Sequence, residues 1–243
     1  MHHKALVPVI NWMGDFAFGD AWAAYLGSAA ENSVHAHAAL QLAIGRDCMV
    51  SAALEGGQII TNRALLIRPA VPHAISAAGE VALIYIEPQA PIAFALLDRV
   101  GIDDVETLPR DIWEPIDLAQ PPGVWLSLIE NMLPRPSRRV DARLSNVLRE
   151  LESSSARNAI SLVAQRNGLS ESHLRELARN QLGFPLSTWL IWRKLERGAR
   201  ELAAGATIVD AALAAGFADQ AHYARSMRRM FGITPGTARK TLL

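Results

Sequence analysis

The stretch that decides the fold of this chain runs Ala164-Gln165-Arg166-Asn167-Gly168, continues through Ser170 and His173, and ends at Gly183-Phe184-Pro185. A second stretch repeats this plan with Ala212-Leu213-Ala214-Ala215-Gly216, Asp219, His222 and Gly232-Ile233-Thr234-Pro235. In both stretches three residues separate the alanine from the first glycine, and the second glycine follows the histidine by ten residues. Such a repeat predicts two helix-turn-helix units in tandem.

Each unit contains the residues that a tight turn between two helices requires. Gly168 and Gly216 are expected to end the first helix of their units, since glycine adopts the left-handed conformation without a steric penalty. Ser170 and Asp219 follow, and their side-chain oxygens can accept hydrogen bonds from the free N–H groups of the next helix. We therefore expect the second helix of each unit to begin directly after these two residues.

The second helix of each unit is predicted to be amphipathic, with an apolar stripe against the core. The stripes are Leu174, Leu177 and Ala178 in the first unit and Tyr223, Met227, Met230 and Phe231 in the second. The outer faces are mostly polar and basic, and comprise Ser172, Arg175, Glu176 and Arg179, then Gln220, Ala221, His222, Arg225, Arg228 and Arg229. Because arginine recognises guanine and glutamine recognises adenine in the major groove, these faces favour contact with double-stranded DNA. A charged surface hairpin is the alternative for one unit alone, and the repetition argues against it.

The zero net charge of the chain conceals a division between its two halves. Residues 1–133 contain 6 Lys and Arg against 15 Asp and Glu, a net charge of −9. Residues 134–243 contain 18 Lys and Arg against 9 Asp and Glu, a net charge of +9, which completes the 24 and 24 of the whole chain. A basic region of this kind is typical of nucleic-acid binding that weakens with salt as counterions are released.

The length of 243 residues fits two domains of ordinary size. Cys48 is the only cysteine, which excludes an internal disulfide and fits a reducing compartment. No apolar run reaches the roughly 18 residues of a membrane span, and Met1-His2-His3-Lys4 does not resemble the start of a signal peptide. We therefore expect a cytoplasmic protein without a membrane partner.

The N-terminal half is predicted to form short strands. Glycines and prolines separate apolar or β-branched runs that recur about every ten residues. This spacing is typical of a small antiparallel barrel or jelly roll. The predicted strands are 39–44, 49–54, 58–61, 64–68 and 81–87.

Helical spacing replaces the strand pattern after Pro91, with helices predicted at 92–100 and 124–133. From Asp141 the chain is expected to be helical throughout, including a long helix at 186–204 that separates the two units. The fold class is therefore α+β with two domains, a β-barrel (jelly-roll) domain with helices and an all-α domain with two helix-turn-helix units.

A proline-rich segment lies where the charge changes sign, and we predict that it links the two domains. The linker is placed at 134–140, between an N-terminal domain at 1–133 and a DNA-binding domain at 141–243.

Over roughly residues 141–240 the chain resembles the AraC/XylS family of bacterial transcription regulators. The string Gly-Phe, Asp-Gln, His-aromatic, Phe-Gly and Pro is the signature of that family. The residues that carry the resemblance are Leu162-Val163-Ala164, Gly168-Leu169-Ser170, His173-Leu174, Gly183-Phe184-Pro185, Arg193-Lys194-Leu195-Glu196, Ala199-Arg200-Glu201-Leu202, Gly216-Phe217, Asp219-Gln220-Ala221-His222-Tyr223, Phe231-Gly232 and Pro235.

The resemblance implies a sequence-specific regulator that binds promoter DNA, responds to a small effector and has RNA polymerase as a further partner. By matching position, the groove contacts fall on Ser172, Arg175, Glu176, Gln220, Ala221, His222 and Arg225, with Arg179 beside them. Glu176 is suited either to cytosine N4 or to an ion pair with Arg175 or Arg179. The chain departs from the family at three core positions that usually hold aromatic residues, so we expect looser packing at Ala178, Met227 and Ala238.

Residues 33–87 resemble, more distantly, the cupin-like sensor domain of the same family. The resemblance rests on His35-Ala36-His37, Gln41, Gly45, Pro69 and Pro72-His73. On one strand, His35, His37 and Gln41 would share a face by the two-residue period, and a facing strand would bring His73 close.

Three interpretations of this cluster are open. The favoured one is an organic effector bound by His35, His37, Gln41 and His73. A second is a Zn, Ni or Fe site formed by the three histidines, but metal cupins carry glutamate where Gln41 stands, so we expect no metal cofactor. The third is a packed interior without a ligand. The nearby aromatic residues Trp12, Trp22 and Tyr25 either line the mouth of a site or, in this third interpretation, belong to the core.

A homodimer is expected, because doubling the DNA-binding modules raises avidity through effective concentration. The apolar stripe of the helix at 124–133 is either its interface or ordinary core. The stripe consists of Trp125, Leu128, Ile129, Met132 and Leu133.

The sequence contains no recognisable catalytic constellation, so we expect no enzymatic activity. The alternative function is a metal-dependent cupin enzyme with a helical appendage. A third possibility is a nucleoid-type protein that binds DNA without sequence preference.

Overall fold

The computed structural model describes residues 12–30, 32–152 and 159–242. Its N-terminal part is a sandwich of two antiparallel sheets with three helices. The strands are β1 (Met13–Phe18), β2 (Trp22–Ser28), β3 (Leu40–Gly45), β4 (Val50–Leu54), β5 (Ile59–Asn62), β6 (Ala64–Ile67), β7 (His73–Ala77), β8 (Glu80–Ile86) and β9 (Val105–Thr107).

The sheets have the order β1-β2-β8-β3-β6-β9 and β5-β4-β7, which confirms the jelly-roll type of fold. Strands β3 and β8 lie in the middle of the larger sheet and are buried on both faces. Alternate residues enter two cores: Ala43 and Leu83 pack between the sheets, whereas Leu42 and Ile84 pack beneath the helices. This burial on both faces explains why the strands are continuous apolar runs instead of alternating ones.

Three helices cover the outer face of the larger sheet: α1 (Pro91–Leu97), α2 (Arg110–Trp113) and α3 (Pro122–Met132). Trp125 and Ile129 of α3 are buried in the outer core, and Leu128 and Leu133 pack against it. The apolar stripe of this helix is therefore domain core, and it is not free to form the predicted dimer interface; only Met132 of the five is exposed.

All five predicted strands are present, with ends shifted by one residue, but β1, β2, β7 and β9 were not predicted. In the first two strands Gly14 lies opposite Gly27, and a Cβ on Gly14 would lie 2.1 Å from the carbonyl oxygen of Leu26. Glycine is needed here because the two backbones approach closely, yet in a sequence pattern glycine counts against a strand.

The C-terminal part is helical and consists of α4 (Ala142–Glu152), α5 (Ala159–Arg166), α6 (Glu171–Leu182), α7 (Leu186–Ala203), α8 (Ile208–Ala214), α9 (Gln220–Phe231) and α10 (Pro235–Leu242). The predicted long helix at 186–204 is confirmed as α7, which ends before Gly205, whose φ is +90°. Asp141 begins α4 as predicted, since its Oδ1 accepts a hydrogen bond from the Arg143 backbone N–H at 2.8 Å.

The two parts of the chain share one hydrophobic core. Trp192 of α7 and Phe231 of α9 pack against Tyr85 of β8, with ring centroids 6.0 and 5.7 Å from that of Tyr85. The segment 134–140, predicted as the linker, contains no helix or strand. None of the described helices is long and apolar enough to cross a lipid bilayer.

Candidate functional site

The first helix-turn-helix unit consists of α5 and α6. Gly168 adopts φ +69° in the turn, and Ser170 Oγ accepts a hydrogen bond at 3.2 Å from the His173 backbone N–H. Gly183 ends α6 in the left-handed conformation with φ +85°. The predicted turn glycine Gly168 and the predicted helix cap Ser170 are therefore confirmed in this unit.

The second unit, α8 and α9, repeats this geometry. Thr207 begins α8 and accepts a hydrogen bond from the Asp210 backbone N–H, and Gly216 adopts φ +78° after the helix. Asp219 Oδ1 accepts a hydrogen bond at 2.6 Å from the His222 backbone N–H, and Gly232 ends α9 with φ +70°. The units agree in their caps and terminal glycines, although the loop of the second is one residue longer.

The second helices present the predicted faces. The residues predicted to contact bases, together with the neighbouring arginines, are exposed: Ser172, Arg175, Glu176, Arg179, Gln220, Ala221, His222, Arg225, Arg228 and Arg229. The positions that depart from the family, Ala178, Met227 and Ala238, are 0%, 5% and 2% exposed and lie in the core as predicted. The base contacts themselves remain predictions.

Arg175 and Glu176 differ in their partners. Arg175 Nε donates a hydrogen bond at 3.2 Å to Glu171 Oε1, one turn earlier on α6. Glu176 forms no ion pair with Arg175 or Arg179 among the described residues, so its carboxylate points into solvent on the predicted DNA-facing side.

Helix α7 connects the units and is packed between them. Trp189, Trp192 and Leu195 of this helix are buried. A Cβ on Gly198 would lie 2.8 Å from the hydroxyl oxygen of Tyr223, so glycine at this position allows α9 to approach α7 closely. The second unit is consequently attached to a rigid helix.

The predicted cluster of His35, His37, Gln41 and His73 is present and buried, with exposed fractions between 0% and 4%. Its placement differs from the expectation, because His35 and His37 do not lie on a continuous strand. His35 instead pairs with His73 through two backbone hydrogen bonds of 2.9 and 3.0 Å, and His37 lies in the irregular segment before β3. His73 lies on β7 of the smaller sheet and Gln41 lies on β3 of the larger one, so the side chains of the cluster meet between the two sheets.

Every imidazole of the cluster has its Nδ1 near a backbone carbonyl oxygen. The partners are Ser33 for His35 at 2.9 Å, Ala39 for His37 at 3.0 Å and Val71 for His73 at 2.8 Å. Burial lowers the pKa of all three imidazoles, that of His73 to about 4. All three are therefore neutral near pH 7.

An apolar cavity of about 60 Å³ lies where the two domains meet. Trp12 and Tyr25 line it and are buried in the core shared by the two domains, whereas Trp22 packs against the outer core. Sequence patterns did not reveal the cavity, because its walls come from distant parts of the chain. The lining includes Phe16, Phe18, Leu83, Tyr85, Trp192, Met227, Phe231 and Ile233.

A buried ionic network joins the domains beside this cavity. Arg193 of α7 pairs with Glu87, which follows β8, and its guanidinium also contacts Glu196 at 2.5 Å and Glu152 at 3.2 Å. Glu196 pairs in turn with Arg200 at 2.8 Å. Burial raises the pKa of Glu87 to about 7, against the opposing effect of Arg193.

Comparison with known proteins identifies the C-terminal part. Residues 163–241 match the sequence model of a family described as a helix-turn-helix domain. No curated protein matches the chain by sequence.

Three crystal structures of ToxT from Vibrio cholerae resemble the whole chain. One, at 1.65 Å resolution, has 8% identity, covers 91% of this chain and 99% of its own, and gives a TM-score of 0.59. A second, bound to (E)-4-(8-methylnaphthalen-1-yl)but-3-enoic acid, has 8% identity, covers 92% and 100%, and gives 0.58. A third, bound to an unsaturated fatty acid, has 10% identity, covers 94% and 92%, and gives 0.54.

At these identities the likeness to ToxT concerns the fold, and it covers both domains in one arrangement. The match at 163–241 coincides with the paired units, their helix caps and their exposed second helices. Residues 163–241 of this chain match a helix-turn-helix domain, and an N-terminal jelly-roll domain precedes them as in the fold of ToxT.

Proposed function

We propose that this protein is a sequence-specific regulator that binds promoter DNA in the cytoplasm and whose DNA affinity depends on a small effector. The single observation that carries the proposal is the pair of capped, exposed second helices α6 and α9 in two matching units. Both helices keep their predicted base-reading side chains in solvent while their apolar stripes are buried.

The charge of the exposed faces supports DNA as the partner. Helix α9 presents Arg225, Arg228 and Arg229 to solvent, and α6 presents Arg175 and Arg179. Arginines at the end of a recognition helix neutralise phosphates, while those near its start reach base edges. A face with both groups suits a helix that enters the major groove from its N-terminal end.

The cavity between the domains supports control by an apolar effector. At about 60 Å³ it is smaller than the roughly 150 Å³ that accommodates benzene in an engineered protein cavity. A larger ligand therefore requires the domains to separate, and its binding would change the position of α7 and α9. Trp192 Nε1 lies in the cavity wall without a hydrogen-bond partner, which suits an effector that carries an acceptor such as a carboxylate.

DNA binding is tested by fluorescence anisotropy with the upstream region of the gene and with a scrambled duplex, each at two salt concentrations. We expect tighter binding to the upstream region and weakening with salt through counterion release. Arg110→Ala, which removes an exposed arginine of the N-terminal domain, is the matched control for Arg225→Ala and should leave the affinity unchanged. Equal affinity for both duplexes would exclude sequence-specific recognition.

Effector binding is tested with an unsaturated fatty acid and a naphthyl-substituted butenoic acid, the kinds of ligand seen in ToxT. We expect either compound to change the melting temperature and the DNA affinity of the full chain. Ala199→Leu fills part of the cavity wall and should abolish both responses while DNA binding without ligand persists. If the responses survive this substitution, the cavity is not the effector site.

A second copy of the chain and RNA polymerase are the remaining proposed partners. Two copies would double the DNA-reading helices on one promoter and raise avidity. Sedimentation of the protein with and without its DNA measures how many copies of the chain associate. Co-purification with RNA polymerase tests whether the polymerase binds.

A further inference from the structure

The three histidines of the buried cluster offer one ring nitrogen each within 4.8 Å of one another. Their ring centroids are 4.6 to 5.9 Å apart, so no apolar side chain separates them. His35 also lines a cleft of about 470 Å³ between the domains, so one imidazole of the cluster borders a space that opens to solvent.

Hydrogen bonding to the backbone determines which nitrogen of each ring faces inward. Because a carbonyl oxygen only accepts, the Nδ1 atoms of His35, His37 and His73 must carry the proton. Each neutral ring then has an unprotonated Nε2 whose lone pair is free for another partner. An Nδ1–H donated to a backbone carbonyl is the outer-shell contact that orients metal-binding histidines.

Gln41 does not satisfy these lone pairs. Its Oε1 lies 3.0 Å from Nε2 of His37 and 2.9 Å from Nε2 of His73, and neither nitrogen has a proton to donate to this oxygen when Nδ1 is protonated. The amide nitrogen of Gln41 has no hydrogen-bond partner. Turning the amide over would supply two N–H donors, but Oε1 would then point away from the cluster. Nε2 of His35 has no hydrogen-bond partner among the described residues in either orientation.

We propose that His35, His37 and His73 bind one late first-row divalent transition-metal ion through Nε2, with Oε1 of Gln41 as a fourth ligand. Such an ion accepts all four lone pairs at once, which no arrangement of the amide achieves. Metal–nitrogen distances of about 2.0–2.1 Å place the ligand nitrogens about 3.3 Å apart, so nitrogens that lie within 4.8 Å of one another must close in by up to about 1.5 Å. Imidazole ligands suit zinc, nickel, copper and iron, and the neutral donor set leaves the ion free to bind an external anion.

The site is connected to the second DNA-reading helix. Ser33 Oγ donates a hydrogen bond at 3.2 Å to the Gly232 carbonyl oxygen at the end of α9, and the Ala36 backbone N–H donates at 3.4 Å to that of Arg229. Both donors flank His35. An ion bound to His35 would therefore fix the segment 33–36 and, through it, the C-terminal end of α9.

The metal site is tested on the full chain carrying His2→Ser and His3→Ser, which removes the other adjacent histidines. The metal-free protein is titrated with Co²⁺, followed by its visible absorption, and with Zn²⁺ by calorimetry. We expect one ion per chain, an affinity at least about 100-fold lower in His73→Gln, and no change in His173→Gln, which alters an exposed histidine outside the cluster. Absence of stoichiometric binding, or equal binding by His73→Gln, overturns the proposal.

Gln41→Glu keeps the proposal falsifiable if His73→Gln does not fold. A carboxylate at this position should raise the affinity for Zn²⁺, and Zn²⁺ should restore the melting temperature that an unpaired buried carboxylate lowers. If Gln41→Glu is destabilised and Zn²⁺ does not restore its melting temperature, the cluster is a hydrogen-bonded core and no metal site.

The connection to α9 is measured separately by hydrogen exchange. We expect Zn²⁺ to slow exchange of the Ser33 and Ala36 amides in the metal-free protein; unchanged exchange in a protein that binds Zn²⁺ excludes the connection. An effect of Zn²⁺ on DNA affinity is expected only if the proposed function, DNA binding, is correct. Failure of DNA binding alone would leave the calorimetric and exchange results intact, so the two proposals fail independently.

Discussion

Gly232 meets two constraints, and its counterpart in the first unit, Gly183, shares only one of them. Both Gly232 and Gly183 end a DNA-reading helix in the left-handed conformation, with φ +70° and +85°. A Cβ on Gly183 would enter open space, whereas one on Gly232 would lie 2.5 Å from the Ser33 carbonyl oxygen and 2.9 Å from His35 Nδ1. The helix-capping role follows from the repeat in the sequence, but the contact with the N-terminal domain does not.

We predict that Gly232→Ala lowers the free energy of unfolding more than Gly183→Ala. Left-handed strain alone costs about 1–2 kcal/mol in Gly183→Ala, and the backbone clash should raise the loss to about 3 kcal/mol in Gly232→Ala. Urea denaturation of both variants measures the difference. Equal losses would show that α9 is not held against the segment 33–36.

Arg225 is placed near the middle of the exposed face of α9, and we predict that it reads one base pair. Arg225→Ala should weaken binding to the preferred duplex by about 1–3 kcal/mol and relax the preference at one base step only. Affinities for a set of duplexes, each with one altered base pair, measure this effect. A uniform loss over all sequences would instead make Arg225 a phosphate contact.

At the scale of elements, the caps determine where the helices begin. Asp219 is the cap of α9, and Ser170 and Thr207 act in the same way for α6 and α8. A cap depends on a side chain and a backbone N–H three residues later, so the local sequence is sufficient to predict it. Strand β7 lacks such a local signal, because it pairs with β4, which lies well before it in the chain.

We predict that Asp219→Ala lowers the free energy of unfolding by about 1 kcal/mol, since the hydrogen bond from the His222 N–H is lost. Asp219→Asn retains an acceptor at the same position and serves as the control. Thermal denaturation followed by circular dichroism compares the two variants. If Asp219→Asn loses as much as Asp219→Ala, the carboxylate charge matters more than the hydrogen bond.

At the scale of the whole molecule, the ionic network around Arg193 makes the contact between the domains sensitive to pH. Glu87 is charged at high pH and shares one guanidinium with Glu196 and Glu152. Burial raises the pKa of Glu87 to about 7, while its value in the unfolded chain is near 4.5. Between these values the folded protein binds more protons than the unfolded chain, so stability falls as the pH rises.

We therefore predict that protonated Glu87 contributes about 1–3 kcal/mol to the free energy of unfolding. This contribution is present below about pH 4.5 and is lost as the pH rises through about 7. The buried histidines have lowered pKa values and act in the opposite sense, so the comparison is made with Glu87→Gln. The difference in free energy of unfolding between the two proteins, measured from pH 4.5 to 8, isolates Glu87. A difference that does not change with pH would contradict the raised pKa.

The sequence by itself determined the paired helix-turn-helix units, their caps and their exposed faces, whereas the strand period did not describe how His35 and His37 are placed. These features depend on helical or strand periods and on side chains that act within a few residues of their own position. Only the tertiary structure decided how the domains pack, which lone pairs remain in the histidine cluster, and that α9 contacts the segment 33–36. His73 and Gln41 meet across 32 positions and Ser33 and Gly232 across 199, and no local pattern records which surfaces will be buried together.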